Sequence, residues 1–344
     1  LYMDIEEGKP LYSPEDDLGQ QARLPGWTNI GDFSACLRTS VGLHGVYKDS
    51  NTSYLVVASK HTRPVILAKG RTQLEAVVKA VAGDVNSPFG GVWALNTELE
   101  YETAQFLDKV FLEAVMAPSY EPGSAEMLKD SSEIGSHKNR FLIRTGNLTT
   151  TDIDSFGYSL QPVAQGNYLR QDREKPFNIR EEAVLVRRKK HEDASIEQLG
   201  EQMLDDIEFA GNVAIYLSSN LVFYVQDGAI AGLGDGCGAR VVAARKARGM
   251  LEDSVYAALS ADRDDEWERV LYGTPFTRED FEGRIKTSLN LVAFSDAFFP
   301  KPDGYVETSG IDRINPKFGN REFTYRKGKK IFVPKRNNFD LGYD

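Results

Sequence analysis

The amino-acid sequence predicts an α/β protein organised in two halves. Short apolar, β-rich runs alternate with helical patterns along the chain, which is typical of strands that pair in parallel through helical crossovers. A stretch with little pattern, from about 120 to 180, lies between the halves, and each half carries a motif-rich loop after a core strand. Because α/β sheets bind ligands beyond the ends of such strands, we expect these loops to meet in one cleft.

The first half begins with an arm at 1–26 that is rich in Asp, Glu, Pro and Gly and reads as irregular. The apolar run Tyr54–Ala58 predicts a buried strand that carries Lys60 and His61 at its exit and that Pro64 soon ends. We predict the remaining elements at 73–82 (helix), 92–95 (strand), 100–110 (helix) and 113–117 (strand).

The second half opens with the clearest helix signal. Ser195 and Gln198 form a capping-box pattern, and an apolar stripe at helical spacing follows, from Ile196 to Ala214. We predict the later elements at 221–225 (strand), 227–228 (turn), 240–248 (helix) and 292–295 (last core strand). The tail from 313 onward is basic and aromatic, without a regular period.

Composition excludes several classes of protein. A net charge of −10 and an isoelectric point near 5.1 argue against a nucleic-acid partner, since phosphate binding needs a basic surface. No apolar run approaches the ~20 residues of a membrane span, and Leu1–Pro10 lacks the apolar core of a secretion signal. Cys36 and Cys237 form neither a disulfide framework nor a zinc motif. We therefore expect a cytoplasmic protein without a metal.

Lys60 and His61 lie where a catalytic pair would lie, at the end of a buried strand. A neighbouring ammonium favours the neutral imidazole, which can act as a base near pH 7. The same cation can stabilise a developing oxyanion. A Lys-His dipeptide by itself, however, occurs readily by chance in a chain of 344 residues.

Two loops of the second half carry further candidates. Gly232–Gly238 is either a phosphate-cradling loop or an ordinary glycine-rich turn between a strand and a helix. Ser219–Asn220 is either a turn or a ligand contact. Asp296 follows a core strand and precedes two phenylalanines and a proline, so we expect a partly desolvated carboxyl group with a raised pKa.

In this collinear order, the loops resemble the formyltransferase domain of the bifunctional purine-biosynthesis enzymes. These enzymes formylate aminoimidazole carboxamide ribotide (AICAR) and then close the ring to give IMP. The resembling stretches are Ser59–Pro64, Asn86–Asn96, Glu102–Ala104, Ala114–Pro118, Asp205–Ala210, Ser219–Asn220, the glycine loop through Arg240, and Ser295–Pro300. Each stretch alone is a weak motif, but all of them in the same order along the chain are specific for this family.

The resemblance implies a duplicated cytidine-deaminase-like fold of three-layer αβα subdomains without zinc, at 1–155 and 156–344. It implies a homodimer with sites at the interface, and 10-formyltetrahydrofolate as formyl donor. The matching catalytic positions are Lys60, His61 and Asn220. The positions matching the acceptor and folate pockets are Phe89, Gly90, Arg240, Phe298, Phe299 and Asp303.

Departures from the family pattern leave the acceptor open. The family's phosphate-binding Arg-Tyr-Gly segment and its closing Gln-Pro-Gly-Gly-Ser segment have no match here, and neither does the cyclohydrolase domain. The family's small-Gly pair is replaced by Val65–Ile66, its lysine by Ser218, its glutamine by Cys237 and its phenylalanine by Lys301. We predict an AICAR formyltransferase. The alternatives are a paralogue that formylates another amine in a specialised pathway and a non-catalytic nucleotide-binding paralogue.

Overall fold

A computed structural model of the chain describes residues 12–19, 24–84, 90–130, 140–147, 158–162, 167–172, 176, 178, 200–260, 291–297, 311–315, 321–326 and 329–334. The chain divides into two units, at residues 1–296 and 297–344.

The first unit holds all the helices of the described residues and ten strands. The helices are α1 (Trp27–Tyr47), α2 (Gln73–Gly83), α3 (Tyr101–Asp108), α4 (Ser124–Asp130), α5 (Glu201–Ala214) and α6 (Arg240–Ser260). The strands are β1 (Tyr54–Lys60), β2 (Arg63–Gly70), β3 (Gly91–Leu95), β4 (Leu112–Ala117), β5 (Phe141–Arg144), β6 (Tyr158–Pro162), β7 (Tyr168–Asp172), β8 (Val222–Gln226), β9 (Ala229–Gly234) and β10 (Val292–Ser295).

The second unit contains an antiparallel sheet of three strands in the order β11-β12-β13. These strands are β11 (Ile311–Asn315), β12 (Arg321–Arg326) and β13 (Lys329–Pro334). The sequence of this tail shows no regular period, so these strands were not predicted.

The main sheet has eight strands in the order β10-β8-β9-β2-β1-β3-β4-β5, while β6 and β7 pair with each other. The expected parallel pairing is confirmed for β3, β4 and β5. It is wrong for the other strands, which pair antiparallel. A two-residue connection permits only antiparallel pairing, and such a turn joins β1 to β2. Pro64, expected to end the strand, lies inside β2, beside a register shift between Ala58 and Ser59.

One arrangement of elements occurs in both halves of the first unit. The order helix, strand, strand, helix, strand describes α1-β1-β2-α2-β3 and again α5-β8-β9-α6-β10. In each set the first strand lies between the other two and is antiparallel to both. The two sets join where Ala68 of β2 pairs with Ala229 of β9. The predicted boundary between 155 and 156 stays a prediction.

The main sheet is buried on both faces, which explains the continuous apolar run of β1. Leu55 and Val57 belong to one core cluster, together with Phe33 of α1 and Phe209 of α5. Val56 and Ala58 belong to the other, together with Val77 of α2 and Leu107 of α3. Alternate side chains of one strand therefore enter different cores, as expected for a sheet covered by helices on both sides.

Most elements predicted in the first unit are confirmed within a few residues, including α2, β3, α3, β4, β8 and β10. Helix α6 is longer than predicted and extends to Ser260. The capping residues Ser195 and Gln198 lie outside the described residues. Among the described residues, none of the helices combines the length and the apolar character that a membrane span requires.

Helix α1 was not predicted, because its buried face is not a clean apolar stripe. Thr39 and Ser40 are buried on it beside Phe33 and Leu43. The Thr39 hydroxyl donates to the Ala35 carbonyl at 2.8 Å, which satisfies it inside the helix.

Asn96, directly after β3, connects α1 to the sheet. Its Nδ2 donates to the Ser53 carbonyl at 2.7 Å and lies 2.9 Å from His44 Nδ1, while its Oδ1 accepts from the Leu55 N–H at 2.8 Å. Because Nδ2 can only donate, His44 Nδ1 must accept, which requires the neutral imidazole. Burial lowers the pKa of His44, and Lys48 lowers it further.

We expect this contact to make stability depend on pH. At pH values just below the ordinary histidine pKa of 6.5, His44 is protonated in the unfolded chain but still neutral in the folded protein. The free energy of unfolding should therefore fall as pH drops below that value, until the lowered folded pKa is passed. His44→Gln retains an acceptor for Asn96 but does not titrate. Urea unfolding at about pH 7.5 and about pH 5.5 should show a smaller loss for the variant. Equal losses for both proteins would contradict this role of His44.

Candidate active site

One end of the main sheet gathers the candidate residues. Lys60 ends β1, Gly90 directly precedes β3, and Asn220 lies just before β8. Arg240 is the first residue of α6. The strand registers place these positions at the same end of the sheet. Ser59 pairs with Val92, and Val222 pairs with both Gly234 and Ser295. The other predicted positions lie outside the described residues: Phe89, Phe298, Phe299 and Asp303.

The turn between β1 and β2 presents His61 in a constrained backbone. His61 and Thr62 have φ values of 76° and 69°, in the left-handed region that few residues other than glycine adopt. The Asp32 carboxylate of α1 accepts from the Thr62 N–H at 2.5 Å. A Cβ atom on Gly31 would lie 2.4 Å from Thr62 Cγ2, so glycine there permits this close approach. Helix α1 therefore holds the turn, and the His61 side chain is exposed at its tip.

Asp32 is itself buried beneath this turn. Burial raises the pKa of its carboxyl group, while hydrogen bonds from the backbone of Thr62 and His61 act in the opposite direction. The carboxylate thus provides a fixed acceptor on the inner side of the turn.

Lys60 lies half-buried beside the same turn. A Cβ on Gly91 would lie 3.5 Å from its Cγ and Cε atoms, so the Lys60 stem runs along the start of β3. Burial lowers the pKa of Lys60, and the carboxylates of Asp84, Glu113 and Asp32 oppose this effect. A partly desolvated cation interacts more strongly with a developing negative charge than one in water.

Asn29 and Glu113 belong to the same region but were missed by the sequence analysis. Asn29 Nδ2 donates to Glu113 Oε2 at 2.5 Å, which links α1 to β4. Glu113 is the one charged residue in the otherwise buried apolar strand β4, and this is the signal that identifies it. The bond between residues 84 positions apart depends on tertiary structure.

Asn220 is held by the glycine loop. Its N–H donates to the Cys237 carbonyl and its carbonyl accepts from the Cys237 N–H, both at 3.3 Å. Its side-chain Nδ2 donates to the same Cys237 carbonyl at 3.0 Å. Cys237 therefore positions Asn220 through its backbone, in contacts that do not depend on the cysteine side chain.

Asp296 fixes the segment around Asn220 from the other side. Its carboxylate accepts from the Ser219 hydroxyl, from the Leu221 N–H at 3.0 Å and from Arg240 Nη2 at 2.7 Å. Desolvation alone would raise its pKa, but these hydrogen bonds outweigh it and lower the pKa of Asp296. The expectation of a raised pKa was therefore wrong, because the sequence did not reveal these donors.

The glycines of the second loop serve different purposes. A Cβ on Gly232 or Gly234 would lie about 2 Å from a backbone carbonyl of α6, at 2.2 and 1.9 Å respectively. Both lie within β9 and permit the close packing of that strand against the helix. Gly236 has φ +58° and faces the guanidinium of Arg63.

Arg63 connects the two motif loops. Its Nη1 lies 3.2 Å from Asp235 Oδ2, and the second Asp235 oxygen accepts from the Ser218 N–H. The structure therefore links the His61 turn to the segment that carries Asn220. Among the residues described, no three His, Cys, Asp or Glu side chains are grouped as a metal ion would require.

The profile of the family described as "AICARFT/IMPCHase bienzyme" matches residues 9–249. This range includes Lys60, His61, Gly90, Asn220 and Arg240.

Comparison with curated proteins gives a similar result. The bifunctional purine biosynthesis protein PurH of Brucella anthropi is 30% identical over 286 residues, which cover 83% of this chain and 45% of that protein. PurH of Brucella ovis and of Brucella canis are each 30% identical over 299 residues, covering 86% of this chain and 47% of theirs. The chain thus spans about half the length of the curated relatives it matches.

Proposed function

This chain belongs to the AICARFT/IMPCHase bienzyme family, and from that premise we propose that it is a formyltransferase. The proposed reaction moves the formyl group of 10-formyltetrahydrofolate to the amine of AICAR or a close analogue, as in de novo purine biosynthesis. The observation that carries the proposal is the constrained turn with Lys60 and His61, linked by Arg63 and Asp235 to the segment that carries Asn220.

The chemistry requires one new bond, one broken bond and one proton transfer. The acceptor nitrogen adds to the formyl carbon and gives a tetrahedral intermediate, and the bond from that carbon to N10 of the folate then breaks. The attacking amine loses one proton, and N10 of the departing tetrahydrofolate gains one. His61, exposed at the tip of the turn that Asp32 holds, would accept and return that proton.

Lys60 and Asn220 complete the proposed set. The Lys60 ammonium would stabilise the oxyanion that forms on the formyl oxygen. Asn220, fixed by Cys237, would orient the acceptor and the formyl group, because an amide held in one place reduces the entropy lost at the transition state. Gly90 and Arg240 lie at the same end of the sheet, in keeping with the acceptor and folate pockets that the family resemblance implies.

We extend the proposal to fold and assembly. The recurring order of helices and strands supports a duplicated cytidine-deaminase-like architecture. A homodimer with sites at its interface is also proposed, and sedimentation equilibrium would test it. Phe89, Phe298, Phe299 and Asp303 are proposed to line the pockets on the basis of the resemblance alone. A cytoplasmic location stays a prediction.

A spectrophotometric assay tests the proposed function. Purified protein, 10-formyltetrahydrofolate and AICAR should release tetrahydrofolate at a rate that depends on both substrates. Turnover with another amine in place of AICAR would favour the paralogue for a different acceptor. The absence of folate binding in calorimetry would refute the formyltransferase proposal and leave the non-catalytic alternative.

A further inference from the structure

We infer that the Arg63–Asp235 ion pair positions the His61 turn relative to the Asn220 segment, and that both residues are positioning residues for the reaction. The kinetic part of this inference rests on the proposed function. Arg63 begins β2 directly after the turn, and Asp235 directly follows β9. Arg63 Nη1 and Asp235 Oδ2 are 3.2 Å apart.

The backbone contact between β2 and β9 explains why a side-chain link matters here. These strands pair at Ala68 and Ala229, toward their other end, where the Lys69 N–H also donates to the Gly228 carbonyl at 2.8 Å. Arg63 and Asp235 join the same two strands at the end where the candidate residues lie. The ion pair therefore fixes the spacing of β2 and β9 at the proposed site.

From Asp235 the link continues to Asn220. Asp235 Oδ1 accepts from the Ser218 N–H, and the Gly236 N–H donates to the Ser218 carbonyl at 2.8 Å. Ser218 is thus held on both its backbone groups, two residues before Asn220. A continuous series of covalent and hydrogen bonds runs from His61 through Arg63, Asp235 and Ser218 to Asn220.

The local structure is shaped to receive the guanidinium. A Cβ on Gly236 would lie 1.9 Å from Arg63 Nη1, so a larger residue there would displace it. The Asp235 side chain is 8% exposed, whereas that of Arg63 is 49% exposed. A mostly buried carboxylate is weakly screened by water, and a planar guanidinium binds it in a defined direction. The carboxylate end of the pair is therefore shielded from water, although the guanidinium is half exposed.

Arg63→Ala tests the inference by kinetics. Misplacement of catalytic groups by about 1 Å is enough to lower rates strongly, so kcat should fall about tenfold or more while KM changes less. Arg63→Lys, which keeps the charge, should recover part of kcat. The matched control is Arg71→Ala, because Arg71 also contacts a carboxylate at 3.2 Å, that of Glu75, but on the first turn of α2. The control should leave kcat unchanged.

Amide hydrogen exchange of 218–221 gives a second measurement that needs no turnover. Without Arg63, Asp235 loses its anchor, so the Ser218 amide should exchange faster in Arg63→Ala than in the wild type or in Arg71→Ala. Unchanged exchange together with unchanged kcat would overturn the inference. If the wild type shows no turnover, the proposed function fails, and the exchange experiment alone decides whether the two loops are coupled.

Discussion

Replacement of His61 by alanine should lower kcat for formyl transfer by about 100- to 10,000-fold, the range expected when a general base is lost. KM should change much less, because the imidazole is proposed to act on the reacting amine rather than to hold either substrate. Steady-state kinetics with 10-formyltetrahydrofolate and AICAR measures both constants.

The backbone of His61 requires a second variant. At φ 76°, alanine strains the turn, whereas asparagine tolerates the left-handed region. His61→Asn should therefore keep the turn and still lose activity to a similar extent. Full activity in His61→Asn would contradict a role for the imidazole, and His44→Gln serves as a control for the loss of a histidine elsewhere.

Of the proposed variants, the one that removes the Asp205 carboxylate should lose the most stability. Lys69 of β2 has a fully buried side chain, and its Nζ lies 2.5 Å from Asp205 Oδ1 of α5. The same Nζ lies 4.5 Å from the centroid of the Tyr47 ring. The Asp205 side chain is 39% exposed, but Asp205→Ala still leaves a buried ammonium without its carboxylate, which should lower the free energy of unfolding by about 3 kcal/mol.

Two further variants isolate the cause of that loss. Lys69→Met removes the charge and keeps the volume, so the double variant Asp205→Ala/Lys69→Met should regain most of the stability. Glu252→Ala breaks the pair of Arg248 and Glu252, whose side chains are 51% and 60% exposed. It should change stability by no more than about 1 kcal/mol. Urea unfolding measures all three, and a stable Asp205→Ala protein would show that the pair does not hold β2 to α5.

The sequence predicted those elements whose signal lies within one short, continuous stretch of residues. The apolar period of α2 and the short runs of β4 and β8 were sufficient to locate them. Helix α1 was missed because buried Thr39 and Ser40 interrupt its apolar face. Strand β2 was missed because Pro64 is normally a strand breaker, and its tolerance depends on the register shift at the β1–β2 hairpin.

In the candidate site too, the sequence predicted some residues and not the contacts that hold them. Lys60, His61 and Asn220 were found from short motifs, but their partners are distant in sequence. Asp32 lies 30 residues from Thr62, and Arg63 lies 172 residues from Asp235. Contacts over such separations follow from strand order, which no single motif encodes. The same limitation produced the wrong pKa expectation for Asp296, whose donor Arg240 lies 56 residues away.

The departures from the family pattern bear on the choice of acceptor. The backbone of Cys237 holds Asn220, and these contacts do not depend on the side chain at that position. Nothing in the structure explains how the replacements at Val65–Ile66 and Ser218 affect substrate choice. A panel of amines related to AICAR would therefore distinguish the acceptors more sharply than further structural comparison.

A single-turnover reaction with 10-formyltetrahydrofolate labelled with carbon-13 in the formyl group decides whether the proposed formyl transfer takes place. We expect the label to appear on the amine of AICAR, in an amount equal to the tetrahydrofolate released, and the rate of this transfer to fall strongly in His61→Asn. Label that stays on the folate, or that appears only as formate while AICAR is unchanged, would contradict the proposed function.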